Sequence, residues 1–472
     1  MTGPARDNVG DLAIVLHSHM PYVEGFGTYP FGEEWLFDAV ARSYLPVLEL
    51  ADRLTLTVTP VLADQLEAPG VAGRLEAFLH EYRLGACEAD ASDVEPEYRE
   101  ACLAEAERYR RALGLLERAD RDLLALFSEP QRAGRVELIA STATHAVLPL
   151  VATRAGRRLQ IDAGLRSHTR RFGAPAGLWL AECAFEPGLE RLLAERELAY
   201  TCVDQSAHEP ELAALAPIAT LAGPVAFAID WEAVSWLWSL EGYPSDSAYA
   251  DFHRKSMRGS RPWAIGGGPY RPAEAEGIAR RQAAEFVAAV TERLERFRSE
   301  RGREGLMVFA IDTELLGHWW WEGPTWLGEV LRLAPGAGVG LVTLSEALAR
   351  HDPEPRPLRR ASWGEGKDLR TWDSPAVADL AWAARRVELR LLRALGSDLE
   401  PAAAERAARE LLAVQASDWA FLDRRAQAGD YPWRRSTGHA RALLEAIHSA
   451  DPPDPRLRNL APDLSLAPLL ET

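Results

Sequence analysis

The strongest constraint on the fold of this chain is a series of short, continuous apolar runs separated by stretches rich in Ala, Leu, Glu and Arg. The runs occupy 11–16, 54–59, 135–140, 177–180, 198–203, 306–311 and 339–344. A strand that is apolar along its whole length, rather than at every second residue, is buried on both faces. That is the habit of parallel sheets covered by helices. Stretches such as 274–298 have the composition to supply those helices. Alternation of this kind over about 340 residues predicts an α/β barrel or an open doubly wound sheet. Seven runs make one fewer than the standard eight-stranded barrel.

Two features interrupt the alternation. The second and third runs lie far apart, and 97–127 between them reads as strongly helical, which predicts a helical insertion at about 63–132. After the seventh run comes Asp352-Pro353-Glu354-Pro355-Arg356-Pro357, whose alternating prolines predict a stiff linker over 352–361. Beyond it, 374–395 and 401–422 read as long helices. The expected organisation is an α/β barrel over 1–351 with its insertion, a linker, and an all-α C-terminal domain over 362–472.

Composition narrows the partners. The 472 residues carry 70 acidic against 53 basic side chains, a net charge of −17. This argues against nucleic acid or an anionic membrane surface and suits a neutral polymer such as a polysaccharide. Cys87, Cys102, Cys183 and Cys202 show neither CxxC spacing nor the density of a disulfide framework, so a reducing, cytoplasmic setting is expected. The apolar run after the polar N-terminus is too short for a signal peptide or a membrane helix.

In a parallel barrel the chemistry sits just past the C-terminal ends of the strands. The first run ends in His17-Ser18-His19, the third leads to His145, the fourth to Glu182 and the fifth to Asp204. The sixth delivers Asp312, Glu314 and His318, followed by Trp319, Trp320 and Trp321. Carboxylates for proton transfer beside flat indoles that stack on pyranose faces suit a sugar site. Two carboxylates on different strands, Glu182 and Asp312, are what glycoside hydrolysis needs. One attacks the anomeric carbon or activates water, and the other protonates the leaving oxygen. This chemistry calls for no cofactor and no metal.

The pair His17 and His19 admits a rival reading. Two histidines two apart on a strand point the same way and could ligate zinc, with Asp312 or His145 completing the set, as in metal-dependent hydrolases. Against it, the fourth and fifth strands offer only Glu182 and Asp204, where that class needs further histidines. In the sugar reading the same histidines hold hydroxyl groups.

At this point several motifs resemble glycoside hydrolase family 57, in particular its 1,4-alpha-glucan branching enzyme-like group. They are the stretch from Leu16 to Val23, the stretch from Ala143 to Leu150, the stretch from Trp179 to Phe185, and the stretch from Ile311 to Trp320, where Leu316 replaces the usual Phe. Further matches surround Trp238, Trp363 with Trp372, and Asp418. The resemblance implies a (β/α)7 distorted TIM-like barrel, with Glu182 as nucleophile and Asp312 as acid/base of a retaining reaction. It further implies that His17, His19, His145 and His318 bind hydroxyls near the cleavage point. Trp35, Trp238, Trp363 and Trp372 become stacking candidates, and Asp418 reaches in from the C-terminal domain.

Two outcomes share the glycosyl-enzyme and differ in the acceptor. Water makes an α-amylase-type hydrolase of α-1,4-glucans such as amylose and glycogen. The 6-hydroxyl of another chain makes a branching transferase. Branching enzymes of the family typically carry a long loop with a tyrosine after the fifth strand, whereas 204–233 is short and has no tyrosine. The sequence alone therefore leans towards substantial hydrolysis, with branching as the alternative. A metal-dependent hydrolase and a non-catalytic glucan-binding protein are the more distant readings.

Overall fold

The computed structural model describes residues 8–208, 214–397, 399–448 and 459–471. Among them are ten strands: β1 (Gly10–Ser18), β2 (Leu54–Val58), β3 (Val136–Ser141), β4 (Gly177–Trp179), β5 (Tyr200–Asp204), β6 (Ile218–Ala219), β7 (Val225–Ile229), β8 (Gly305–Asp312), β9 (Val339–Leu341) and β10 (Glu354–Pro355). Their order is β10-β6-β7-β5-β4-β3-β2-β1-β8, with β9 joined to β1 off this path. Every pairing is parallel except β6 with β7. The sheet curls until β7 and β8 meet, where Asp230 N–H donates to the Val308 carbonyl at 2.8 Å.

Seven parallel strands thus make the distorted barrel, but not the seven read from the sequence. The run Val225–Ile229 is a full barrel strand, whereas β9 lies beside the start of β1, outside the ring. The apolar run at 225–229 has the same character as the others and was open to the same argument.

The strands are as apolar as they are because both faces are covered. From Leu12 to Leu16 every side chain of β1 is buried, which contributes about 1.5–3 kcal/mol for each large aliphatic group. Asp11 is the exception in sequence, and it is matched. His351 Nε2 lies 2.9 Å from its carboxylate, with Arg350 behind. In register, His17 lies between Thr57 on β2 and Asp312 on β8. One level of the barrel mouth therefore holds a hydroxyl, an imidazole and a carboxyl on adjacent strands.

Helices fill the connection between β2 and β3, chief among them Arg99–Arg118. The stretch 352–361 is less free than its prolines imply. Glu354–Pro355 pairs with β6, and Phe185 and Ala361 exchange two main-chain hydrogen bonds at 2.9 and 3.1 Å. Near the C-terminus the helices are Ala378–Leu395, Pro401–Val414, Ser417–Arg424 and Tyr431–His448. The single helix expected over 401–422 is broken, because Ala416 takes an extended ψ of 135°. At the break, Ser417 N–H donates to the His145 carbonyl at 3.2 Å. The break is what carries Ser417 and Asp418 to the barrel mouth.

Candidate active site

Glu182 follows β4 in an abrupt turn. Its φ is 59° and that of Cys183 is 49°, and His145, past β3, has φ 57°. Left-handed backbone at a residue with a Cβ costs on the order of 1 kcal/mol and concentrates where side chains must be aimed. Trp363 grips Glu182 twice. Its main-chain N–H reaches the Glu182 carbonyl at 3.0 Å, and its indole Nε1–H donates to Oε2 at 2.9 Å.

A buried chain of polar groups backs this carboxylate. Thr57 Oγ1 bonds His17 Nδ1, His17 Nε2 lies 2.9 Å from His145 Nε2, and His145 Nδ1 lies 2.9 Å from Ser417 Oγ. His145 Nδ1 is also 3.7 Å from Glu182 Oε1. Burial, and the imidazoles beside them, hold His17 and His145 well below the usual histidine range, so both are neutral near pH 7. Each then has one donor and one acceptor nitrogen, as a one-way chain of hydrogen bonds requires.

His19 differs. Its Nε2 lies 2.8 Å from Asp418 Oδ1 and its Nδ1 lies 3.0 Å from Thr59 Oγ1. Burial opposes its charge, but Asp418, reinforced by Glu314 and Glu182, outweighs that and raises its pKa. Its ring stacks on His145 at 4.1 Å between centroids.

Across the mouth, Asp312 ends β8. Its carboxyl makes no hydrogen bond to another group among the described residues. Burial, then Glu314 and Glu182, hold its pKa well above the usual carboxylate range. Glu182 is pushed up to about 7 by burial, with the Trp363 hydrogen bond pulling the other way. Both carboxyls resist ionisation, and of the two only Glu182 has a donor, the Trp363 indole, that favours its anion. Glu314 also reaches about 7, but it is engaged: it accepts from the Tyr44 hydroxyl and from His19 N–H at 3.0 Å.

The other expected residues divide. His17 is 1% exposed with both ring nitrogens engaged, so it orients His145 and does not face the cleft. His318 lies apart from the other three histidines, against Phe252 and Trp319. Trp363 is at the site. Trp35 packs half-buried against Phe31 and Tyr431, at 5.7 Å between centroids for each. Trp372 is 3% exposed in a cluster with Val147 and Trp419 and is a core residue, which corrects its reading as a stacking wall. Trp238 ends the helix Trp231–Trp238 and is 54% exposed. Of the three consecutive tryptophans, Trp320 and Trp321 are buried and Trp319 reaches the surface. Asp204 is held by Lys367 Nζ at 2.9 Å.

Sequence reading missed Thr57, Thr59, Tyr44, Ser417 and Lys367. The threonines were visible as the alternate residues of 55–59, and Lys367 as one of two lysines in the chain. For the zinc reading, all four ring nitrogens of His17 and His19 already meet Thr57, His145, Thr59 and Asp418. Among the described residues no group of three or more His, Cys, Asp or Glu is arranged to hold a metal ion. Of the short segment 204–233, residues 209–213 lie outside the described residues.

Comparison with known proteins identifies the family of the chain. Residues 13–357 match the model of glycosyl hydrolase family 57, and 381–463 match that of the 1,4-alpha-glucan branching enzyme C-terminal region. The chain is 34% identical over 492 residues to a 1,4-alpha-glucan branching enzyme of Thermococcus kodakarensis, covering 92% of this chain and 72% of that protein. Its fold matches the GH57-type branching enzyme of Pyrococcus horikoshii with a TM-score of 0.91 at 30% identity, covering 98% and 97% of the two chains. It also matches the α-amylase AmyC of Thermotoga maritima with a TM-score of 0.87 at 25% identity, over 98% and 99%. With one model matched along the barrel and another along the C-terminal helices, the chain belongs to glycosyl hydrolase family 57 and is an enzyme of that type.

Proposed function

We propose that this enzyme is a retaining 1,4-alpha-glucan branching enzyme acting on amylose- and glycogen-type chains. The observation that carries this reading is the joint one. The chain is similar throughout to proteins named as branching enzymes, and the break before Ser417 brings its C-terminal helices into the site. This reverses the lean of the sequence towards hydrolysis.

In the first half-reaction Glu182, ionised and fixed by Trp363, attacks the anomeric carbon while Asp312 gives its proton to the departing glycosidic oxygen. The C1–O4 bond breaks and a glycosyl ester forms on Glu182. In the second, Asp312 takes the proton of an acceptor 6-hydroxyl, whose oxygen attacks C1 and frees Glu182. The stereochemistry at C1 is retained after two inversions. His19 is paired with Asp418 beside this exchange, which favours its protonated form, and the chain from Thr57 to Ser417 keeps His145 oriented.

Hydrolysis is a second reading, favoured by the short tyrosine-free segment 204–233 and by the likeness to an α-amylase. Water competes with the acceptor wherever the site is not covered. Incubation with amylose, scoring new α-1,6 linkages against new reducing ends, separates the two. Branching predicts that α-1,6 linkages dominate. Reducing ends without branch points would overturn it.

A further inference from the structure

The two oxygens of Glu182 have different neighbours. Oε2 accepts from the Trp363 indole at 2.9 Å, while Oε1 lies 3.7 Å from His145 Nδ1. That nitrogen is bonded elsewhere, to Ser417 Oγ at 2.9 Å, and the Ser417 side chain is also a hydrogen-bonding neighbour of Glu182. A hydroxyl has one proton. Ser417 can give it to His145 or to Glu182, and the tautomer of His145 decides which.

That tautomer is set at the far end of the chain. Thr57 is fully buried, and among the described residues its Oγ1 bonds only His17 Nδ1. If Thr57 accepted from His17, its own proton would be buried without an acceptor, which is the costly arrangement. Thr57 therefore donates, and His17 carries its proton on Nε2. Nε2–H then donates to His145 Nε2 at 2.9 Å, so the His145 proton sits on Nδ1 and goes to Ser417 Oγ. The Ser417 proton is left for Glu182. A reversed chain fails at both ends, because the Thr57 proton meets nothing and Ser417 turns only lone pairs towards a carboxylate.

We propose that Ser417 donates a hydrogen bond to Glu182 as the last link of a one-way chain started by Thr57, which makes Ser417 and Thr57 positioning residues for the nucleophile. The proposal rests on the reading of Glu182 as that nucleophile. It gives the C-terminal helices a direct hold on the reacting carboxylate, through the residue that follows the break at Ala416. It also gives a strand residue two imidazoles away a part in the same hold. The other groups that act on Glu182 are His19 and Asp418, of opposite sign, with Asp312 across the mouth. The adjacent Cys183 thiol is kept neutral by burial.

Neutron diffraction of the deuterium-exchanged enzyme near neutral pD reads the direction of the chain. The expected result is deuterium on His17 Nε2 and His145 Nδ1, with the Ser417 deuteron turned to Glu182. Deuterium on His17 Nδ1 or on His145 Nε2 would overturn the proposal. Kinetics on an α-glucosyl fluoride supply a second reading, because departure of fluoride needs no proton from Asp312 and the acidic limb of kcat/KM then follows Glu182. Ser417→Ala is expected to move that limb up by about one pH unit. Thr57→Val, which keeps the shape and removes the hydroxyl, moves it up by less, and Thr57→Ser leaves it in place. A limb unmoved in either Ser417→Ala or Thr57→Val would also overturn the proposal. Should those variants fail to fold, the deuterium positions in the unaltered enzyme decide. If Glu182→Gln keeps its turnover of the fluoride, the assignment of the nucleophile falls instead, whatever the deuterium positions.

Discussion

Glu182 and Asp312 occupy facing parts of one barrel mouth and share a shift towards the protonated form, yet they are built in opposite ways. Glu182 sits on left-handed backbone, is bonded by Trp363 and backed by His145 and Ser417. Asp312 ends an extended strand and has no hydrogen-bond partner among the described residues. The first group is held by hydrogen bonds; the second is left without one among the described residues. Fixation suits a nucleophile that must meet one carbon, and freedom suits a group that gives a proton to one oxygen and takes it from another. Of the two, only Glu182 has a donor that stabilises its anion.

This contrast can be broken most severely by substitution of the two carboxyls. Glu182→Gln is expected to lower turnover about 10,000-fold or more, whatever the leaving group. Asp312→Asn is expected to cost about 100- to 10,000-fold with amylose, and far less with an α-glycosyl fluoride, whose leaving group needs no proton. Steady-state rates on both substrates check the pair. Equal loss on fluoride and amylose in Asp312→Asn would place the nucleophile at Asp312 instead.

A smaller effect sharpens the account of Trp363. Trp363→Phe removes the hydrogen bond that favours ionised Glu182, so the Glu182 pKa rises from about 7 and the acidic limb of kcat/KM against pH moves to higher pH. The loss at the optimum is expected to be about tenfold. An acidic limb that stays in place or moves down would remove Trp363 from that role.

The smallest expected effect is on stability. Glu182 titrates near 4.5 when unfolded and near 7 in the native protein, so ionising it costs native stability, and the cost accumulates between those values as pH rises. Glu182→Gln should therefore be more stable than the parent at pH 8, by about 1–3 kcal/mol, and equal to it near pH 4. Thermal unfolding at both pH values measures this. A variant no more stable at pH 8 would mean that Glu182 is better solvated than its surroundings imply.

The sequence carried the barrel, the two carboxyls and the histidine motifs, because these lie at the ends of apolar runs that announce themselves. The positions of tryptophans were far less legible. An indole is equally at home in a core and on a sugar, and only packing shows that Trp372 is enclosed while Trp319 is open. Equally hidden was the break at Gln415-Ala416. Its residues are ordinary helix formers, and the extended backbone there is imposed by the pairing of Ala416 with Ala146 across the barrel mouth. The identity of β7 was readable in principle, since Val225–Ile229 is as apolar as its neighbours.

The most direct test of the division between Glu182 and Asp312 is to trap the intermediate with a 5-fluoro-α-glucosyl fluoride and locate the label by peptide mass spectrometry. The account predicts a single glucosyl ester on the peptide bearing Glu182, formed also in Asp312→Asn. A label on Asp312, or turnover with no covalent adduct on any carboxyl, would contradict it.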